Sequence, residues 1–279
     1  GPAVMGARVD EFAVVESNPK IVYVGLASGG VWKTTNAGTT WQPIFDDQPV
    51  ASVGALALAP SDPSILWVGT GEANTRQSSS WGAGVFKSTD AGRSFRFMGL
   101  AETQHIGRVA VHPQNPDVVY VAAQGSLWGP NPERGLYKTA DGGKTWKNVL
   151  FIDEDTGMND VVIDPSDPET VYAAAYQRRR TSFGFNGGGP GSAIYKTTDG
   201  GTAWKKLTNG LPYENEFPAA TQTGRIGLAM YRRNPSLLYA IVEHANGGVF
   251  RSEDRGETWK RMSDVNPRPP YFSAIYIDP

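Results

Sequence analysis

Apolar and polar positions alternate along most of the chain in short bursts, with the period of two that marks a strand buried on one face. In five places such a burst runs into a turn ending in Asn-Pro or Asp-Pro, and then into a second apolar burst. The instances are FAVVESNPKIVYVG, ALALAPSDPSILWVG, VAVHPQNPDVVYVA, VVIDPSDPETVYAA and LAMYRRNPSLLYAI. Proline fixes φ and has no amide for a ladder, so Pro19, Pro63, Pro116, Pro168 and Pro235 predict hairpin turns rather than strand centres. A third element follows each pair: GGVWKTTNAGTTW, AGVFKSTDAGRSF, RGLYKTADGGKTW, SAIYKTTDGGTAW and GGVFRSEDRGETW. Its second fixed glycine falls at Gly38, Gly92, Gly143, Gly201 and Gly256, an interval of 51–58 residues. That spacing suits one four-stranded unit with a long loop. For the second unit the predicted strands are 53–59, 65–69, 84–88 and 94–98.

Each third element has the form Ser/Thr-x-Asp-x-Gly-x-Thr/Ser-aromatic, which resembles the Asp-box of the bacterial neuraminidase (BNR) repeat. The acceptors are Asp90, Asp141, Asp199 and Asp254, with Asn36 in the first unit. A short carboxylate can take bonds from turn amides, the glycine can adopt φ > 0, and the aromatic, Trp41, Phe95, Trp146, Trp204 or Trp259, can plug the hairpin. Twisted sheets of this size leave apolar faces open until they stack around an axis. The predicted fold is therefore all-β, a β-propeller of four-stranded antiparallel blades. Five blades are complete, over about 5–46, 51–100, 104–151, 157–208 and 224–263, in a single domain spanning 1–279. The alternating stretch 271–277 reads as the first strand of a sixth blade. An unpaired apolar edge is a liability. The reading is a fragment of a longer protein, with self-association through that strand, or its docking on blade one, as alternatives.

Composition narrows the function. The 279 residues carry a net charge of −2, and only 19% are charged, so the basic footprint of a nucleic-acid binder is missing. No cysteine is present, which excludes disulfides, zinc-thiolate sites and thiol nucleophiles. No run reaches the roughly 18 apolar residues of a membrane span, so no membrane insertion is expected. His105, His112 and His244 are scattered and share no ligand spacing, and the GGGPG run at 187–191 lacks the Lys-Ser/Thr of a phosphate loop. Neither a metal nor a cofactor is expected.

Whole phrases carry a further resemblance: GPAVMGAR, ASGGVWKTTNAGTTW, VGTGEANTRQSSSWG, TQHIGRVAVHP, WGPNPERGLYKTADGGKTWK, YQRRRTSFGFNGGGPGS and RIGLAMYRRNPSLLYA. They are similar to large bacterial proteins named as repeat-containing glycosyl hydrolases, with a sortilin-like N-terminal propeller. The resemblance implies a propeller in a longer, exported protein, periplasmic or secreted. A sortilin-type receptor also carries a cysteine-rich module, which this chain cannot supply.

In a propeller the innermost strands start together around the channel, so polar residues at those starts converge. Alignment on the turn prolines puts Arg8, Asp10 and Glu11, then His105 and Arg108, then Asn159 and Asp160, and finally Arg225 at such positions. An arginine set suits a carboxylate ligand, as sialidases use it. The same arginines could instead tie blades together through Asp10, Glu11 and Asp160. Glycoside hydrolysis needs two carboxyls about 5 Å or 6.5–9.5 Å apart, and Asp10, Glu72 and Asp160 are the candidates. Two insertions at equivalent places, QGSLWGPNPERG and YQRRRTSFGFNGGGPGS, should bring Trp128, Arg178, Arg179, Arg180, Phe183 and Phe185 together as a binding surface or as loop packing. The leading reading is a binding module for a peptide or glycan. The alternative is a glycoside hydrolase, sialidase-like or polysaccharide-cleaving, and a purely structural role comes third.

Overall fold

The computed structural model describes residues 8–76, 78–213 and 222–278, and the chain falls into two compact units. Gly1–Gly125 with Tyr137–Lys147 form the first, and Ser126–Leu136 with Asn148–Pro279 the second. Residues 5–7, where the first predicted blade begins, lie outside the described residues.

Five antiparallel four-stranded sheets account for nearly all regular structure. The first holds β1 (Val9–Val14), β2 (Val22–Leu26), β3 (Gly30–Thr34) and β4 (Gln42–Pro43), paired in chain order. The second holds β5 (Val53–Ala59), β6 (Asp62–Thr70), β7 (Val85–Ser88) and β8 (Arg96–Phe97), and the third β9 (Ile106–Val111), β10 (Val119–Ala123), β11 (Gly135–Thr139) and β12 (Lys147–Leu150). The fourth comprises β13 (Thr156–Ile163), β14 (Val171–Gln177), β17 (Ile194–Thr197) and β18 (Lys205–Leu207). Between its second and third strands a separate ribbon forms from β15 (Arg179–Arg180) and β16 (Phe185–Asn186). The fifth holds β19 (Ile226–Met230), β20 (Leu238–Val242), β21 (Gly248–Ser252) and β22 (Lys260–Ser263).

The core lies between successive sheets. Tyr23, Val31, Leu56, Leu66 and Phe86 cluster between the first and second, and Tyr172, Ile194, Leu228, Leu238 and Phe250 between the fourth and fifth. Close approach explains Gly54: a Cβ there would lie 2.1 Å from the Gly71 carbonyl oxygen and 2.4 Å from that of Ile106.

The repeated turns use the chemistry their sequence suggests. In the second, Ser88 Oγ donates to Asp90 Oδ1 at 2.7 Å and accepts the Gly92 amide at 2.8 Å, while Asp90 Oδ1 accepts the amides of Arg93 and Ser94. The carboxylate thus replaces ladder partners for a chain that reverses through two left-handed residues, Ala91 at φ 58° and Gly92 at φ 84°. Of the five plug aromatics Trp259 is buried, and the others are half-buried.

Two expectations change. Pro63 lies inside β6 rather than in a turn. It is accommodated because Leu58 pairs with Leu66 but Ala59 with Asp62, a bulge in which the missing amide costs no ladder bond. The stretch 271–277 is not a strand. Pro269–Phe272 form one helical turn, α1, with proline at its start, where the ring presets a helical φ. Residues 273–278 then have no ladder partner among the described residues. Ser273 is nonetheless buried, its backbone lying against Gly227 of β19.

Candidate functional site

Two polar clusters form, one in each unit. In unit one, the first strands begin with bulges, between Val9 and Glu11 in β1, between Val53 and Ala55 in β5, and opposite Ala122 and Ala123 in β9. A bulge re-aims the side chain beside it. Arg8, Asp10, Glu11, His105 and Arg108, predicted at these starts, do meet, and they meet as pairs. Arg8 Nε and Nη2 donate to the two oxygens of Glu72 at 2.9 and 2.6 Å. Arg108 Nη1 lies 2.6 Å from Glu11 Oε2, and Asn74 Nδ2 donates to Asp10 Oδ1 at 2.9 Å. His105 is buried and donates from Nδ1 to the Glu72 carbonyl oxygen at 3.0 Å, which fixes its tautomer. Glu72, one of the three carboxyl candidates, is 0% exposed. The hydrogen bond to Glu72 pushes the Arg8 guanidinium above its ordinary value.

In unit two, Asp160 behaves as a tie. Its Oδ1 accepts the Val161 amide and its Oδ2 the Leu228 amide, both at 2.9 Å, joining β13 to β19. Asn159 does the same through the Ile226 carbonyl. Arg225 is buried, with Nη1 on the Tyr271 carbonyl, and its amide donates to Glu243 Oε2 at 2.8 Å.

The two insertions meet. The Arg180 amide donates to the Leu127 carbonyl at 2.7 Å, and the Arg178 and Arg180 guanidinium groups sit 5.9 and 5.3 Å from the Phe185 ring centre. Arg179 grips Asp155. The basic run is not a solvated face, because Arg178 is 1% exposed. Burial, with Arg225, Arg180 and Arg134 nearby, lowers its pKa to about 10. Trp128, which follows Leu127 in the chain, is 57% exposed, and Phe183 is fully exposed.

Sequence reasoning missed two residues here. Arg134 is fully buried and donates to the carbonyls of Asp155, Ser126 and Gly129, so it ties the first insertion to Asp155, whose carbonyl also accepts the Arg178 amide of the second. Its pKa falls to about 10 through burial. Glu243 is half-buried and its pKa is raised by that burial. The available signal was an acid directly after an apolar strand. Among the described residues no group of three or more His, Asp and Glu could hold a metal ion, and no helix is long and apolar enough to cross a membrane.

The fold has counterparts. A Sortilin-Vps10 family model (Sortilin, neurotensin receptor 3) matches residues 83–221, just under half of the chain. The chain is 23% identical over 348 residues to the xyloglucanase Xgh74A of Acetivibrio thermocellus, covering 94% of this chain and 39% of that protein. It is 28% identical over 252 residues to a probable oligoxyloglucan-reducing end-specific xyloglucanase of Neosartorya fischeri, covering 82% and 27%. Among solved structures it resembles a GH74 xyloglucanase from Xanthomonas campestris, with TM-score 0.68 and 18% identity over 92% of this chain and 38% of that one. It also resembles a GH74 enzyme of Niastella koreensis, with TM-score 0.64 and 22% identity over 90% and 38%. The chain thus spans less than two fifths of each, and it shares their fold. All four are named as xyloglucanases or GH74 enzymes, in line with the glycoside-hydrolase alternative more than with the leading peptide- or glycan-binding reading.

Proposed function

We propose that the five sheets are propeller blades and that the chain holds a polysaccharide as part of a glycoside-hydrolase-type protein. The observation that carries this is the similarity to a xyloglucanase over 94% of the chain. The insertions of unit two supply a suitable grip: Trp128 and Phe183 offer flat apolar faces, on loops that Arg134 and Arg180 hold in place. Of the three carboxylates first considered for catalysis, Asp10 accepts the Asn74 amide group at one oxygen, and the other two are engaged at both. Both oxygens of Glu72 accept from Arg8, and both of Asp160 accept backbone amides. This favours saccharide binding over bond cleavage for the chain by itself. Polysaccharides are met outside the cytoplasm, which agrees with an exported protein.

One observation favours hydrolysis by the chain itself. Glu243 spends Oε2 on the Arg225 amide but stays partly exposed, and burial raises its pKa, a property that suits a general acid. Affinity electrophoresis and reducing-sugar release on xyloglucan and other β-glucans separate the two. Retardation without sugar release, lost in Trp128→Ala, is the expected result. Sugar release abolished by Glu243→Gln would install the second reading, and neither retardation nor release would remove both.

A further inference from the structure

Sheets four and five show what fills the outer groove between a sheet and the next repeated turn. Lys196 and Lys205 face each other across β17 and β18. Glu257, the residue after the fixed glycine of the next turn, bridges them, with one oxygen 2.8 Å from each ammonium. In unit one the same positions are taken by Lys87 and Arg96, paired across β7 and β8. Here the residue after the fixed glycine is Lys144. The bridging carboxylate is replaced by a third cation, and the groove is open, a cavity of about 490 Å³ whose lining includes Lys87, Ser94, Phe95, Arg96, Asp117 and Lys144.

The carboxylates at this groove do not restore the bridge. Asp117 Oδ1 stands 3.7 Å from Lys87 Nζ, beyond a hydrogen bond, with its side chain 59% exposed. Asp141 is committed to its own turn through Thr139 and Thr145. Lys87 is held over the Trp67 ring and directed at the Gly142 carbonyl. Arg96 and Lys144 have no ion-pair partner among the described residues.

We propose that this groove binds a carboxylate carried by the ligand, a uronate-type sugar of an acidic polysaccharide, seated between Lys87 and Arg96 as Glu257 is seated in unit two. Phe95 and Met98 give the sugar ring an apolar wall, and Thr89 and Ser94 give hydroxyl oxygens. The saccharide scaffold rests on the function proposed above. The demand for a carboxylate rests on the groove alone.

Calorimetric titration of the full chain with trigalacturonate, cellotriose and tetraglutamate tests it. Trigalacturonate binds, weakening as salt rises, and cellotriose does not bind at this groove. Arg96→Gln and Lys144→Glu each lower the affinity about tenfold or more. Lys144→Glu installs the carboxylate that unit two already has, so it folds with an unchanged or higher Tm. No trigalacturonate binding, equal affinity in the variants, or tighter tetraglutamate binding overturns the proposal. β-Glucan retardation that survives in Lys144→Glu shows that any failure belongs to the groove and not to the polysaccharide reading.

Discussion

The carbonyl oxygen of Ala91 accepts the Lys33 ammonium at 2.8 Å, so a side chain of the first sheet grips the turn of the second. Tyr23, the cross-strand partner of Lys33, donates its hydroxyl to the same oxygen at 3.1 Å, and the ammonium stands 5.2 Å from its ring centre. Tyr172 and Lys196 hold the Arg255 carbonyl in the same way, at 2.8 and 2.9 Å. In the second sheet Trp67 takes the tyrosine's place beside Lys87. An aromatic and a lysine opposed across two strands thus form one repeated clamp, and a left-handed turn residue presents the oxygen.

That conformation predicts a stabilising change. Ala91 and Arg255 both sit at φ 58°, where Gly142 and Gly200 stand in the third and fourth repeats. A Cβ in the left-handed region costs roughly 1–2 kcal/mol, part of which glycine's greater unfolded-state freedom offsets. Ala91→Gly should raise stability by up to about 1 kcal/mol, and Ala91→Val should lower it by about 1–2 kcal/mol. Denaturant midpoints compare them, and a Gly variant weaker than the parent would show that the turn is not strained.

Acid sensitivity should be traceable to the turns. Hydrogen bonds from the Thr145 hydroxyl, the Thr145 amide and the Thr139 hydroxyl hold the Asp141 carboxyl well below the usual carboxylate range. Because the folded pKa is depressed, the stabilisation is present above the unfolded value of about 4 and is lost as pH falls below it. The first repeat shows a neutral substitute. Asn36 Oδ1 accepts the Thr34 hydroxyl and the Thr40 amide, while Nδ2 donates to Thr40 Oγ1, reversing only the last bond. Asp141→Asn should change Tm little at pH 7 and make its fall below about pH 4 shallower. An unchanged acid slope would remove the assignment.

The sheets were legible because strand period, proline turns and the glycine-closed hairpins all agree locally. Pro63 escaped because a bulge admits it to a strand, and 271–277 because its alternation is not backed by a hairpin partner. The places of Arg8, Asp10, His105 and Arg108 at or beside the starts of first strands could be read from the repeat register. Their pairing could not, since Glu72 and Asn74 come from a loop 64 residues beyond their partners. Arg134 was hidden for a related reason: its role is to satisfy carbonyls of loops whose path no pattern specifies. The cationic groove needs both levels, the register to equate Lys144 with Glu257 and the folded structure to show what that carboxylate bridges.

The Arg8–Glu72 pair should respond unequally to losing either member. Arg8 keeps 36% of its side chain exposed, whereas Glu72 is 0% exposed. Removing the cation strands a carboxylate away from water, and removing the charge on Glu72 leaves an arginine that can turn outward. Arg8→Met should therefore cost about 3 kcal/mol or more, and Glu72→Gln about 1–2 kcal/mol. The double variant should cost less than the two singles combined, because once the carboxylate is neutral the missing cation matters little. A denaturant double-mutant cycle measures this coupling. Additive losses, or a Glu72→Gln loss larger than that of Arg8→Met, would mean that the pair does not hold these two segments of unit one together. Retained β-glucan retardation in Glu72→Gln is the companion expectation, since Glu72 has no exposed face with which to meet a sugar.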